Sequence, residues 1–364
     1  MINVYSIMVL VLFCCPVLAQ EKGDIVLTAD KFGIIGYPIV FYTPETDLAG
    51  GIGRMIYFRT AKTIKVRPSK VRISAWYTIN DQYYFMIAPQ IYFAGAGQDL
   101  LDLRFIYNKE IGKFYGVGNN TEEIPNPEYT MKSLRLYAEF GANDIIAEGI
   151  HTGLIFDYFP NELIDKQSNP YILNAEVPGE DGGTVSGLGA LVILDKRDNI
   201  FFPAHNYFHK FRMQFFGRYF GSDFTYNRLV ADLRYYFSPL PRHILACQLY
   251  ADLTSGTVPF FRLPALGGEQ RMRGYFTGRY RDKLYLTGQL EYRKIVWWRL
   301  GVAAFVAAGD VADKFSTFNT RTIKYSYGFG FRFVFDQDEK INVRMDLGFG
   351  KNTDGIYFAL EEAF

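Results

Sequence analysis

From Lys324 to Phe335 the chain reads KYSYGFGFRFVF, in which Tyr325, Tyr327, Phe329, Phe331, Phe333 and Phe335 alternate with Lys324, Ser326, Gly328, Gly330, Arg332 and Val334. Period two sends successive side chains to opposite faces of a strand, so this segment has one aromatic face and one face of charge and glycine. The pattern recurs. Val71, Ile73, Ala75 and Tyr77 alternate with Arg72, Ser74, Trp76 and Thr78, and Leu229, Ala231, Leu233 and Tyr235 flank Val230, Asp232 and Arg234. Leu101, Leu103, Phe105 and Tyr107, then Leu134, Leu136, Ala138 and Phe140, and near the end Ile341, Val343, Met345, Leu347 and Phe349 repeat it. After Gln20 no segment reaches the ~18 apolar residues of a membrane helix, and no long stretch keeps a helical period.

A soluble sandwich alternates too, but two features separate this chain from one. The segments run roughly 9 to 13 residues, the length of a tilted membrane strand rather than the ~5–6 of a globular sheet. Their polar face is dense in charge and glycine and their other face aromatic and aliphatic, which is what lipid outside and water inside require. Strands are expected near 36–44, 50–60, 69–80, 83–93, 98–108, 129–141, 145–159, 185–195, 207–220, 224–237, 242–253, 284–294, 297–308, 321–335, 340–350 and 355–364. The reading is an all-β transmembrane antiparallel barrel of about 16 strands, an even number as in bacterial outer membranes. No repeat or second domain intervenes.

The first residues, MINVYSIMVLVLFCCPVLAQ, hold an apolar core and a small-residue exit at Ala19. They read as a signal peptide over 1–19, leaving 20–364 as the barrel domain, inserted in the outer membrane of a Gram-negative bacterium by the cell's barrel-assembly machinery. Cys14 and Cys15 leave with it, and Cys247, among Leu245, Leu249 and Ala251, reads as an apolar filler. A net charge of +1 argues against nucleic acid as a partner. His151, expected in the lumen, His205, His209, expected toward lipid, and His243 sit in unlike settings without a nucleophile motif or metal-ligand spacing, so no catalytic residue, metal or cofactor is expected. At the C-terminus, GIYFALEEAF places Ile356, Phe358, Leu360 and Phe364 on one face, broken only by Glu362. That terminal aromatic is similar to the assembly signal of outer-membrane proteins.

Between the eleventh and twelfth strands lies LPALGGEQRMRGYFTGRYRDK, with too many glycines and arginines for a wall strand. Its core, Arg273, Gly274 and Tyr275, resembles the Arg-Gly-Phe/Tyr loop of the BamA/TamA superfamily of bacterial surface antigens, which includes outer-membrane insertases and secretion transporters. DKRDNIFFP from Asp195, LEYR from Leu290 and GVAAFVAAGD from Gly301, with Phe305 and Gly309, are similar to further family segments. The resemblance implies a loop folded into the lumen, its arginine meeting acidic and aromatic wall residues. Glu291 on the polar face of the next strand, beside Arg293, is the first choice of partner and Asp346 the second. The family commonly has Asp where this chain has Ala307. Its POTRA modules are not expected here, because the strands begin so soon after the leader. The function implied is assistance in protein insertion or secretion, with client polypeptides and a separate periplasmic partner. The alternative is a transport protein or pore with a loop-plugged lumen.

Overall fold

The computed structural model describes residues 32–43, 47–60, 67–93, 99–143, 150–166, 168–174 and 177–364. The leader and its junction at Gln20 lie outside the described residues, as do the first residues of the strand expected from 145. Sixteen strands form one antiparallel sheet in sequential order. They are β1 (Phe32–Thr43), β2 (Asp47–Phe58), β3 (Ser69–Thr78), β4 (Tyr83–Tyr92), β5 (Leu100–Lys113), β6 (Glu128–Asn143), β7 (Ile150–Asp165) and β8 (Gly182–Asp195). There follow β9 (Asn206–Phe216), β10 (Tyr226–Leu240), β11 (His243–Gly256), β12 (Leu284–Trp297), β13 (Leu300–Ala312), β14 (Lys324–Asp336), β15 (Ile341–Gly350) and β16 (Thr353–Leu360). The count agrees with the alternation in the sequence.

Burial is inverted relative to a soluble sheet. In β14, Phe331 is 51% exposed while its neighbour Arg332 is 2% exposed. In β12, Leu290 and Tyr292 face outward, and Tyr285, Thr287, Gln289, Glu291 and Arg293 are buried inside. A wall with an apolar exterior and a charged interior is stable against lipid, where exposed charge would be costly, and unstable in water. His209 faces outward and stacks on Tyr207 at 4.8 Å between ring centroids, and His151 lines the interior, as expected.

The two rims differ. At one rim, the segments after β5, β7, β9 and β11 meet over a common apolar cluster that includes Phe114, Tyr129, Phe159, Phe216, Tyr226 and Phe260. At the other, the β8–β9 segment reaches the first strands and the β14–β15 turn. Its Asn199 accepts from the Phe201 and Phe202 N–H groups at 2.7 and 2.8 Å and donates to the Glu339 carbonyl at 3.0 Å. Phe201 thereby packs with Ile35, Met55 and Tyr57 of the first strands and with Ile341 of β15. Among the described residues β1 and β16 share no backbone ladder. Side chains bring the two edge regions together instead: Tyr57 donates to Asp336 at 2.7 Å, Arg59 pairs with Glu339 at 2.9 Å, and Lys70 with Glu361 at 2.6 Å.

Two expectations are corrected. The ninth strand stops at Phe216, and Arg218–Phe220 form a 3₁₀ turn rather than continuing it. The last strand stops at Leu360 instead of reaching Phe364, because Glu361 adopts a left-handed backbone with φ 68°. The four terminal residues turn inward, and Phe364, expected to continue the strand face of Ile356, Phe358 and Leu360, is 3% exposed beside Tyr236 and Ala246.

Candidate functional site

The β11–β12 segment, residues 257–283, folds into the interior. A short 3₁₀ turn at Phe260–Arg262 starts the descent, and Arg262 is fixed to Asp157 of β7 at 2.5 Å. Ala265–Leu266 pairs with Tyr280–Arg281 in a two-residue ladder that narrows the loop above its tip. Leu266, Met272 and Tyr275 then pack on inward side chains of the wall, among them Val230, Tyr250, Tyr285 and Ala307.

Arg273 at the tip is 1% exposed. Its guanidinium pairs with Glu291 of β12 through one nitrogen and with Asp346 of β15, at 2.5 Å, through another. It also lies 3.5 Å above the centre of the Phe305 ring on β13, a cation–π contact that desolvation strengthens. Both acidic residues considered for Arg273 therefore serve it together. Asp346 supplies the second carboxylate that Ala307 cannot, and Gly330, opposite Asp346 in the ladder, leaves the space its carboxylate occupies: a Cβ there would lie 2.0 Å from Oδ1.

The cluster extends beyond the loop. Glu291 also accepts from Arg293 at 2.7 Å and Arg332 at 3.3 Å, while Asp346 accepts from Arg332 at 2.5 Å and Arg344 at 2.7 Å. Glu362 of the inturned tail takes a further bond from Arg332 at 2.9 Å, and Arg293 donates to the terminal carbonyl of Phe364 at 2.9 Å. Four guanidinium groups, on Arg273, Arg293, Arg332 and Arg344, thus share the three carboxylates of Glu291, Asp346 and Glu362. Planar forks suit this sharing, since each can address two carboxylates at fixed angles.

Sequence reasoning placed Arg273, Glu291, Asp346, Arg293 and Phe305, and the structure brings all five together. Gly309, named with Phe305, lies higher on β13 against Thr287. Arg332, Arg344 and Glu362 were not singled out. Their signals were present: Arg332 shares a face with Ser326, Arg344 stands two residues before Asp346, and Glu362 interrupts an apolar face.

The rest of the motif seats the loop on the end of the sheet. The Gly274 N–H donates to the Tyr357 hydroxyl at 2.9 Å, and Thr353 donates to the Gly274 carbonyl at 2.9 Å. Tyr275 donates to the Tyr325 carbonyl at 3.2 Å and accepts from the Lys351 N–H at 3.0 Å. Burial pushes its phenol above the usual range, so it stays a neutral hydroxyl in both roles. Sixteen strands can enclose an aqueous channel, and this loop occupies part of that space. Deleting residues 262–281 is expected to raise single-channel conductance in planar bilayers several-fold. Wild-type conductance in the deletion protein would show that the loop does not obstruct the lumen.

No curated protein matches the chain. Among solved structures, BamA from Haemophilus ducreyi lacking POTRA domains 1-3 matches with a TM-score of 0.58 at 12% sequence identity, over 98% of this chain and 75% of that one. At that identity the likeness is one of fold, a sixteen-stranded antiparallel wall of the BamA barrel type. The Omp85 superfamily domain matches residues 89–336, which span β5 to β14 and carry Arg273, Glu291 and Arg332. That is well over half the sequence: the chain belongs to the Omp85 superfamily.

Proposed function

We propose that the protein works in the outer membrane of a Gram-negative bacterium as an insertion or translocation barrel, assisting assembly or secretion of client polypeptides with a separate periplasmic partner. The observation that carries this reading is the Arg273 loop, fixed inside the lumen by Glu291 and Asp346, in a chain of the Omp85 superfamily. Both the outward apolar band and the family favour a membrane site, and no constellation for catalysis is needed for such work. The second reading, a transport protein or pore with a loop-plugged lumen, draws on the chamber of about 470 Å³ that remains beside the loop.

Reconstitution separates the two. Liposomes holding the full-length protein, supplied with native periplasmic extract and an unfolded outer-membrane barrel, are expected to convert that client to its heat-modifiable folded form at least tenfold faster than empty liposomes. Equal rates with and without the protein would overturn the insertion reading.

A further inference from the structure

The space inside the wall is not filled by the loop and the tail. A chamber of about 470 Å³ remains, bounded by Gln270 and Arg271 of the loop tip, by residues 361–364, and by the inner faces of β3–β5 and β8–β10. That volume is in the range of small-molecule sites, about 300–1,000 Å³.

Most cations facing the chamber have a carboxylate. Arg234 pairs with Asp232 at 2.6 Å, Arg197 with Asp195 at 2.7 Å, and Lys70 with Glu361 at 2.6 Å. Two arginines depart from this rule. Arg72, on the inner face of β3, and Arg271, at the loop tip, line the chamber with no carboxylate in ion-pair range among the described residues. Arg271 rests on an aromatic face instead, its guanidinium 3.9 Å from the centre of the Tyr250 ring. Nine Lys and Arg side chains line the chamber against five Asp and Glu, an excess of cations that attracts an anion, and a guanidinium fork matches phosphate and carboxylate oxygens. The protein's own tail follows the same chemistry on the adjoining wall, where Glu361, Glu362 and the terminal carbonyl of Phe364 dock on Lys70, Arg332 and Arg293.

We propose that the chamber is a binding site for a small soluble multivalent anion bearing phosphate or carboxylate groups, with Arg72 and Arg271 as its charged contacts. The site adjoins the Arg273 cluster at Glu362, but its two charged contacts, Arg72 and Arg271, lie outside that cluster.

Calorimetric titration of the detergent-solubilised full-length protein with pyrophosphate and with citrate tests the site without any client. Saturable binding of either, with a rise in unfolding temperature beyond that given by sodium chloride at matched ionic strength, is expected. The Arg72→Gln/Arg271→Gln double variant should bind at least tenfold more weakly. Neither arginine is bonded to a carboxylate, so its removal orphans no buried acid, and heat-modifiable gel mobility verifies that the variant folds. Arg218→Gln, an exposed position on the 3₁₀ turn after β9, should bind as wild type. No saturable binding of either anion, an effect reproduced by chloride, or unchanged affinity in the folded double variant would overturn the site. Failure on any of these counts leaves the insertion assay unaffected, because no client enters the measurement.

Discussion

Glu291→Ala is expected to destabilise the protein by about 3–5 kcal/mol, the cost of leaving buried partners of an ion pair uncompensated. Glu291 is buried and accepts from Arg273, Arg293 and Arg332 at once, so its removal strips a partner from three guanidinium groups. The number of groups left short of a partner sets the comparison with Arg273→Ala. Losing Glu291 leaves three guanidinium groups each short of a carboxylate, whereas losing Arg273 takes one cation from two carboxylates that keep other partners. Without Arg273, Glu291 keeps Arg293 and Arg332, and Asp346 keeps Arg332 and Arg344. Arg273→Ala should therefore free the loop while costing the wall less than Glu291→Ala, and the double variant should cost less than the sum of the two. Urea unfolding in lipid vesicles measures the first quantity, and protection of the loop from added protease in intact cells the second. Additive effects would mean that Arg273 and Glu291 are not energetically coupled.

The features readable in the sequence and those that were not differ in physical kind. Alternation is local: each of Tyr325 to Phe335 declares its face by its neighbours, so the strand count and the inward set Tyr285, Thr287, Gln289, Glu291 and Arg293 followed directly. Which carboxylate meets which arginine depends on ladder register, which sequence does not display. The β14–β15 register sets Gly330 opposite Asp346 and Arg332 opposite Arg344, and only then do the two arginines and the loop converge on one carboxylate. Ala307, a departure from the family pattern, looked like a missing acid; in the folded protein it is a small buried residue against which the loop packs. The tail was misjudged because strand periodicity cannot report a single left-handed residue. Glu361 makes that turn, and Glu362, which broke the apolar face, marked it. The apolar cluster over the opposite rim was not legible either, since Phe114, Phe159 and Phe260 reach it from connections distant in sequence.

Gly274→Val should unseat the loop as completely as loss of the charge cluster, for reasons of space and backbone rather than charge. Gly274 has φ 109°, a conformation closed to L side chains, and a Cβ there would stand 2.6 Å from the carbonyl carbon of Phe349. The obstruction is mutual. A Cβ on Gly348 of β15 would stand 2.6 Å from the carbonyl carbon of Arg273, so the loop and the strand touch backbone to backbone. A residue forced into such a φ costs about 1–3 kcal/mol, and displacement of the loop forfeits the Arg273 pairs as well. Gly348 lies in regular strand with no unusual φ, so Gly348→Val tests the contact without the backbone penalty. Both variants should expose the loop to protease in intact cells, with Gly274→Val the more severe. Protection at the wild-type level in Gly348→Val, alongside exposure in Gly274→Val, would reduce the role of Gly274 to its φ alone and would mean that the loop does not lie against β15.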